Sequence, residues 1–102
     1  MTTINVGREF SRYPAGRLAK DGPHSGEAFR EQWLRPPLAR GEEVKIELDD
    51  ALGYGSSFLE EAFGGLVRGA HKLSREFVLR TIHLITADRA LQEEIVSYIK
   101  KG

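Results

Sequence analysis

The most informative stretch of the sequence is residues 53–65, which read Gly-Tyr-Gly-Ser-Ser-Phe-Leu-Glu-Glu-Ala-Phe-Gly-Gly. It follows the alternating run 44–48, Val-Lys-Ile-Glu-Leu, which is typical of a β-strand with one buried face. Ser57 and Glu60 have the three-residue spacing of a capping box, which predicts a helix from Ser57 to about residue 69. A strand, a glycine-rich turn with two serines and a capped helix therefore follow one another here.

The predicted helix has an apolar face at helical spacing. We expect that face to pack against a sheet, and it consists of Phe58, Leu59, Ala62, Phe63, Leu66 and Val67. Gly64 and Gly65 interrupt the helix at a cost of about 1 kcal/mol each relative to alanine. Two explanations stay open. The glycines allow close packing inside the fold, the commoner reason, or they leave a flat patch against which a partner lies.

Strands and helices alternate along the rest of the chain. Strands are predicted over 3–10, 43–48 and 81–85, and helices from Ser25 to about Leu34, ended by Arg35-Pro36-Pro37, and from Asp88 onward. Residues 74–79 fit a short helix, and residues 77–79 fit the opening of a strand equally well. The pattern predicts one small α/β domain over residues 1–102, with a mixed sheet of about four strands packed against helices.

Composition excludes several classes of function. Fifteen Lys and Arg balance fifteen Asp and Glu, so no overall charge attracts nucleic acid or a membrane. The acids are concentrated around the glycine-serine turn, although charge runs are often merely solvated. There is no cysteine, which removes disulfides and thiolate sites. No apolar run approaches the roughly 20 residues of a spanning helix, and we expect a soluble, cytoplasmic protein.

Catalytic loop patterns are not met. A nucleophile elbow has a glycine two residues after its serine. In this chain Phe58 stands two residues after Ser56, and Leu59 stands two residues after Ser57. A phosphate-binding Walker loop has a lysine just before its helix, and no lysine stands at that position here. The three histidines, His24, His71 and His83, lack metal-ligand spacing. We therefore expect no enzymatic activity, no metal and no cofactor.

The residues also resemble a known family. The run from Val44 through the glycine-serine turn to Arg68 strongly resembles the bacterial STAS-like family of unknown function. Residues 14–17, residues 25–30 and the closing helix over 91–99 resemble it as well, so the resemblance covers nearly the whole chain. That family is in turn similar to STAS domains, the fold of anti-sigma-factor antagonists and of sulfate-transporter tails.

The resemblance implies a regulatory role. In the antagonists, a serine at the start of the corresponding helix is phosphorylated by an anti-sigma-factor serine kinase, and the unmodified form binds that kinase. Their Asp-Ser-Ser/Thr-Gly pattern falls on residues 55–58 here, where both serines match and the flanking residues differ. Ser57 and Ser56 are thus candidate phosphorylation sites. A phosphate on Ser57 would gain from the helix N-terminus but would meet nearby acids, and Ser57 as a structural cap stays the alternative.

Three functions follow from the residues and the resemblance. The first is a signalling module that docks a protein, with a histidine-kinase-like serine kinase as one candidate, through Tyr54, Ser56, Ser57, Glu60, Glu61, Gly64 and Arg68. The second is an anion- or nucleotide-binding domain that uses Gly55, Ser56, Ser57, Arg17 and Arg30. The third, and least favoured, is a serine enzyme. Whether two copies of the chain associate as a homodimer stays open.

Overall fold

Three parallel strands form the sheet of this protein, for which a computed structural model describes residues 1–102. The strands are β1 (Thr2–Asn5), β2 (Val44–Glu47) and β3 (Ile82–Ile85), in the spatial order β1-β2-β3. Ile46 of β2 lies between Ile4 and Leu84 in register. Val44 and Ile46 are fully buried, whereas the side chains that alternate with them are half-exposed. The helices therefore cover one face of the sheet.

The predicted small α/β domain is confirmed, but its sheet has three strands, all parallel, rather than a mixed set of about four. Residues 77–79, which also fitted the opening of a strand, lie in a helix over Arg75–Thr81. Ser74 caps this helix, because its Oγ accepts a hydrogen bond from Phe77 N at 3.0 Å. The local cap thus decides between helix and strand.

The helical parts of the chain combine α-helices with short π-helical and 3₁₀ turns. The α-helices are α1 (Gly26–Phe29), α2 (Arg35–Ala39), α3 (Ser56–Leu59), α4 (Arg75–Thr81) and α5 (Arg89–Lys101). π-Helical turns span Val6–Phe10, Arg30–Leu34 and Glu60–Gly64, and 3₁₀ turns span Ala19–Asp21 and Gly65–Val67. The segments 26–39 and 56–67 each run as one continuous helical stretch, with a π-helical turn in the middle. No helix of the chain has the length and apolar character needed to cross a membrane.

Two predicted boundaries were wrong. β1 ends at Asn5 rather than continuing to residue 10, because Asn5 Oδ1 accepts a hydrogen bond from Arg8 N at 3.0 Å and turns the chain. Pro36 and Pro37 do not end the helix that Ser25 caps. They occupy the first turn of α2, directly after a π-helical turn, where the missing N–H groups of proline are tolerated.

The core lies between the sheet and the helical stretches. All six residues of the predicted apolar face, from Phe58 to Val67, are at most 4% exposed, which confirms that prediction. Gly26 allows the two helical stretches to touch, since a Cβ there would lie 2.4 Å from Phe58 O. Phe10 joins the N-terminal turn to both stretches, with its ring centroid 5.0 Å from Phe29 and 6.1 Å from Phe58.

Candidate functional site

The glycine-serine turn is fastened to the end of β2 by Tyr54. The hydroxyl of Tyr54 donates to Leu48 O at 2.6 Å. Burial raises the pKa of Tyr54, and the charges of Asp49 and Asp50 raise it further, so the phenol stays protonated. The half-buried side chain of Tyr54 thus holds the turn in place, and its predicted contact with a partner stays a prediction.

Both serines of the turn are exposed, and neither caps the helix. The helix begins at Ser56, one residue earlier than predicted, and its N-cap is Gly55, which offers no side-chain hydrogen bond. The predicted capping box between Ser57 and Glu60 was therefore wrong. Neither serine hydroxyl has a hydrogen-bond partner in the chain, and both side chains are open to solvent.

The Glu60 carboxylate forms ion pairs with two arginines and makes no hydrogen bond with the serines. Arg17 Nη1 donates to Glu60 Oε1 at 2.5 Å, and Arg68 Nη2 donates to the same oxygen at 2.9 Å. Arg68 Nη1 also donates to Glu60 Oε2. The hydrogen bonds from Arg68, and then those from Arg17, outweigh desolvation and lower the pKa of Glu60 to about 2.

Glu61 forms the more buried half of the same cluster. Arg30 Nη1 donates to both the backbone oxygen and Oε2 of Glu61 at 2.7 Å. The two side chains are 12% and 13% exposed. Burial by itself would raise the pKa of Glu61, but the hydrogen bond and charge of Arg30 outweigh it, and the pKa falls below its ordinary value. Arg17 and Arg68 complete the cluster at 3.3 Å from Glu61 Oε1.

The two helical glycines make room for this arginine–glutamate cluster. A Cβ on Gly65 would lie 2.2 Å from Arg30 Nη1. A Cβ on Gly64 would lie 2.8 Å from Glu60 Oε2 and 3.2 Å from Tyr98 O of α5. Both glycines are buried. Of the two explanations that the sequence left open, close internal packing is therefore the one that the structure supports.

The arginine–glutamate cluster contains several residues that the sequence assigned to an anion site or a docking patch. Arg17 and Arg30 were expected to lie over residues 55–58 as counter-charges for an anion, but both guanidinium groups are bound to glutamates instead. Of the predicted docking patch, Gly64 is buried, and the charged members form ion pairs within the cluster: Glu60, Glu61 and Arg68. Their contact with a partner stays a prediction. Ser56 and Ser57 are the predicted site residues that remain free.

The acidic residues after β2 are used within the chain as well. Asp49 accepts from Thr86 Oγ1 at 2.5 Å and from Ala87 N at 2.8 Å, which joins the ends of β2 and β3. Asp50 accepts from Asn5 Nδ2 at 2.6 Å, which joins the ends of β2 and β1. The acids near the turn therefore hold the carboxyl ends of the three strands together.

Two apolar residues that the sequence reasoning missed lie beside the turn. Tyr13 is 69% exposed and Leu52 is 65% exposed. Leu52 N donates to Arg12 O at 2.8 Å, and Gly55 N donates to Pro14 O at 3.4 Å, so residues 12–14 run alongside residues 52–55. No local pattern signals this contact, because about 40 residues separate its two sides. We call Tyr13, Leu52, Ser56 and Ser57 the turn surface.

The comparisons with known proteins place the chain in a family. The family model that matches is described as a STAS-like domain of unknown function (DUF4325), and it matches residues 25–92, two thirds of the chain. The matched region contains β2, the turn, the helical stretch 56–67 and β3, and 15 of the 19 buried hydrophobic residues of the core lie within it. The curated proteins and the solved structures yielded no match. The protein therefore belongs to the family of STAS-like domains of unknown function.

Proposed function

We propose that this protein is a non-enzymatic regulatory module that binds a partner protein through the turn surface. The observation that carries the proposal is the exposure of Tyr13 and Leu52 beside two unbonded serines. Apart from Met1, these are the two most exposed large hydrophobic residues of the chain. Exposed apolar side chains grouped with polar ones are characteristic of protein-binding surfaces.

The rigidity of the turn supports a docking role. Tyr54 fastens the turn to β2, and the backbone bonds to residues 12–14 hold its other side. A partner would therefore meet a surface whose shape is set before binding, which lowers the entropic cost of association. No titratable base is hydrogen-bonded to Ser56 or Ser57, so neither hydroxyl has the activation that a serine nucleophile needs.

Phosphorylation of Ser56 or Ser57 is the regulatory part of the proposal. Both hydroxyls are accessible, and a phosphate there would lie at the start of the helical stretch 56–67, where negative charge is favoured. The sequence predicted repulsion from Glu60 and Glu61. Three arginines now face those two carboxylates, so this repulsion is smaller than the sequence implies. A phosphate would change the turn surface from apolar and neutral to strongly charged, and would release an apolar partner.

The partner class follows from the family resemblance. A serine kinase of the histidine-kinase-like ATPase type would both bind the unmodified turn surface and phosphorylate it. The mass of the protein isolated from its native cells tests this part. We expect a phosphate-bearing fraction whose modified peptide contains Ser56 or Ser57, and its absence from the Ser56→Ala/Ser57→Ala double variant.

An affinity capture with matched variants tests the docking surface. The immobilised protein is exposed to an extract of the native cells, and we expect capture to be lost with Leu52→Ser and with Ser57→Asp. Leu18→Ser is the control, because Leu18 is also an exposed leucine but precedes the turn Ala19–Asp21, outside the turn surface. Equal capture by Leu52→Ser and by the wild type would contradict the proposal.

A further inference from the structure

β3 is an edge strand whose free side is open to pairing, apart from Ile82 N–H, which is bonded to the end of α4. Leu48 N donates to Ile85 O at 3.0 Å, so the backbone groups of Ile85 point toward β2. Backbone groups alternate along a strand, so Leu84 directs its N–H and C=O away from β2, and no group of the chain pairs with them. Natural edges carry charges, proline or bulges. β3 reads Ile-His-Leu-Ile, and Ile85 is 45% exposed.

An apolar groove lies beside this edge. It has a volume of about 150 Å³ between α4, β3 and α5, and six of its seven lining residues are hydrophobic. Leu79, Leu84 and Val96 line the groove without being fully buried. The edge and the groove thus form one continuous surface with unpaired backbone groups and exposed apolar side chains.

Opposite charges stand at the two ends of the edge. Arg80 lies in the last turn of α4, just before β3, and Asp88 lies just after β3 at the start of α5. Both are exposed, and neither takes part in an ion pair within the chain. A two-fold axis through the middle of β3 reverses the strand direction. It therefore brings Arg80 of each copy to Asp88 of the other.

We propose that two copies of this chain associate through antiparallel pairing of their β3 strands. Leu84 lies opposite Leu84 of the second copy, and the two residues exchange both backbone hydrogen bonds. Thr86 N–H then meets Ile82 C=O of the second copy. Ile82 N–H takes no part, since it already donates to Val78 O at the end of α4. The result is a continuous six-stranded sheet in which each copy covers the groove of the other.

A second copy fits this surface because the surface is complementary to itself. The same strand supplies both sets of backbone groups, the same leucine supplies both sides of the apolar contact, and Arg80 and Asp88 supply both charge pairs. An interface of this isologous kind closes after two copies. It also removes the exposed edge of β3, which would otherwise favour indefinite association.

The mass in solution tests the proposal, measured by light scattering after size exclusion. We expect twice the monomer mass of 11.4 kDa for the wild type. Arg80→Glu, Asp88→Lys and Leu84→Lys should each raise the dissociation constant about tenfold or more, because like charges then meet at the interface or a charge enters it. Lys20→Glu, in the turn Ala19–Asp21, is the control that should leave the dimer intact.

Mixing two variants gives the sharpest result. In a dimer of one Arg80→Glu copy and one Asp88→Lys copy, both contacts join opposite charges again, so the mixture should regain the dimer mass. Asp88 also caps α5 through Leu91 N at 3.1 Å, and circular dichroism of Asp88→Lys verifies that it stays folded. A wild-type monomer at concentrations up to about 1 mM, the weak end of specific association, overturns the proposal. A dimer unaffected by Arg80→Glu and Leu84→Lys alike overturns it too.

Discussion

The packing of Gly65 against Arg30 makes a prediction that a double-mutant cycle can test. A methyl group on Gly65 would lie 2.2 Å from Arg30 Nη1 and 3.2 Å from Arg30 Cδ. The guanidinium group would have to leave its place, and its two hydrogen bonds to Glu61 at 2.7 Å would be lost. Charge-assisted hydrogen bonds contribute about 1.5–3 kcal/mol each, part of which the displaced arginine recovers in water.

We expect Gly65→Ala to destabilise the wild type by about 2 kcal/mol. This figure combines a loss of about 3 kcal/mol from the cluster with a gain of up to about 1 kcal/mol in helix propensity. In an Arg30→Ala background there is no guanidinium group to displace. The same Gly65→Ala change should then stabilise the protein by about 0.5–1 kcal/mol, and the coupling free energy between the two positions should be close to 3 kcal/mol.

Urea unfolding of the four proteins gives the coupling free energy directly. The single tryptophan, Trp33, is a convenient probe, because it is half-buried and its ring lies 6.4 Å from that of Phe10. Gly53→Ala is the control, since nothing lies within 4 Å of a Cβ there, and it should leave the free energy of unfolding nearly unchanged. The reasoning is refuted if Gly65→Ala has the same effect with and without Arg30, within about 0.5 kcal/mol.

Three further predictions follow from the same contacts. The pKa of Glu60 is about 2 in the folded protein against an ordinary 4.5, so its stabilising effect of about 1 kcal/mol is present above pH 4.5 and is lost as the pH falls toward 2. Glu60→Gln should therefore flatten the pH dependence of the free energy of unfolding between these two pH values, and an unchanged slope would contradict the lowered pKa. Gly26→Ala should lower the free energy of urea unfolding by about 2–3 kcal/mol, because its Cβ would lie 2.4 Å from Phe58 O, a backbone atom that cannot turn aside. An unchanged free energy of unfolding would show that the two helical stretches are not in close contact. Tyr54→Phe should cost about 1 kcal/mol by removing the bond to Leu48 O, seen as a lower melting temperature, and no change would mean that this bond does not hold the turn.

Sequence reasoning succeeded where the determining contacts are local. Ser25 and Asp88 each cap the predicted helix through a backbone N–H three residues on, and Ser74 does the same where the sequence left helix or strand open. The spacing of residue types contains that information. The apolar spacing of residues 58–67 likewise located the buried face, because a helix repeats its faces at a fixed interval.

It failed where distant residues compete for the same group. Ser57 and Glu60 have the spacing of a capping box, but Arg17 and Arg68 bind the Glu60 carboxylate more strongly than a backbone N–H would. Arg17 lies 43 positions from Glu60 in the chain, and no spacing rule reaches that far. The end of β1 is a different case, because the bond from Arg8 N to Asn5 Oδ1 is local and was missed; Gly7 then packs against the backbone of Asp50, 2.2 Å from where a Cβ would be.

The candidate site was predicted in position but not in composition. The strand-to-helix turn and its two serines were identified from the sequence, and the structure shows both serines exposed. The charged residues assigned to the site are instead bound within the arginine–glutamate cluster. Tyr13 and Leu52 could not be predicted, because only the backbone bond between Leu52 N and Arg12 O brings their two loops together.

Hydrogen–deuterium exchange of the protein, alone and with the partner recovered by affinity capture, tests most directly whether the turn surface binds that partner. We expect slower exchange on binding in the peptides that contain residues 12–14 and 52–57. We also expect unchanged exchange in α4, which lies outside that surface. Slower exchange confined to α4 or α5, with residues 52–57 unaffected, would contradict the central claim.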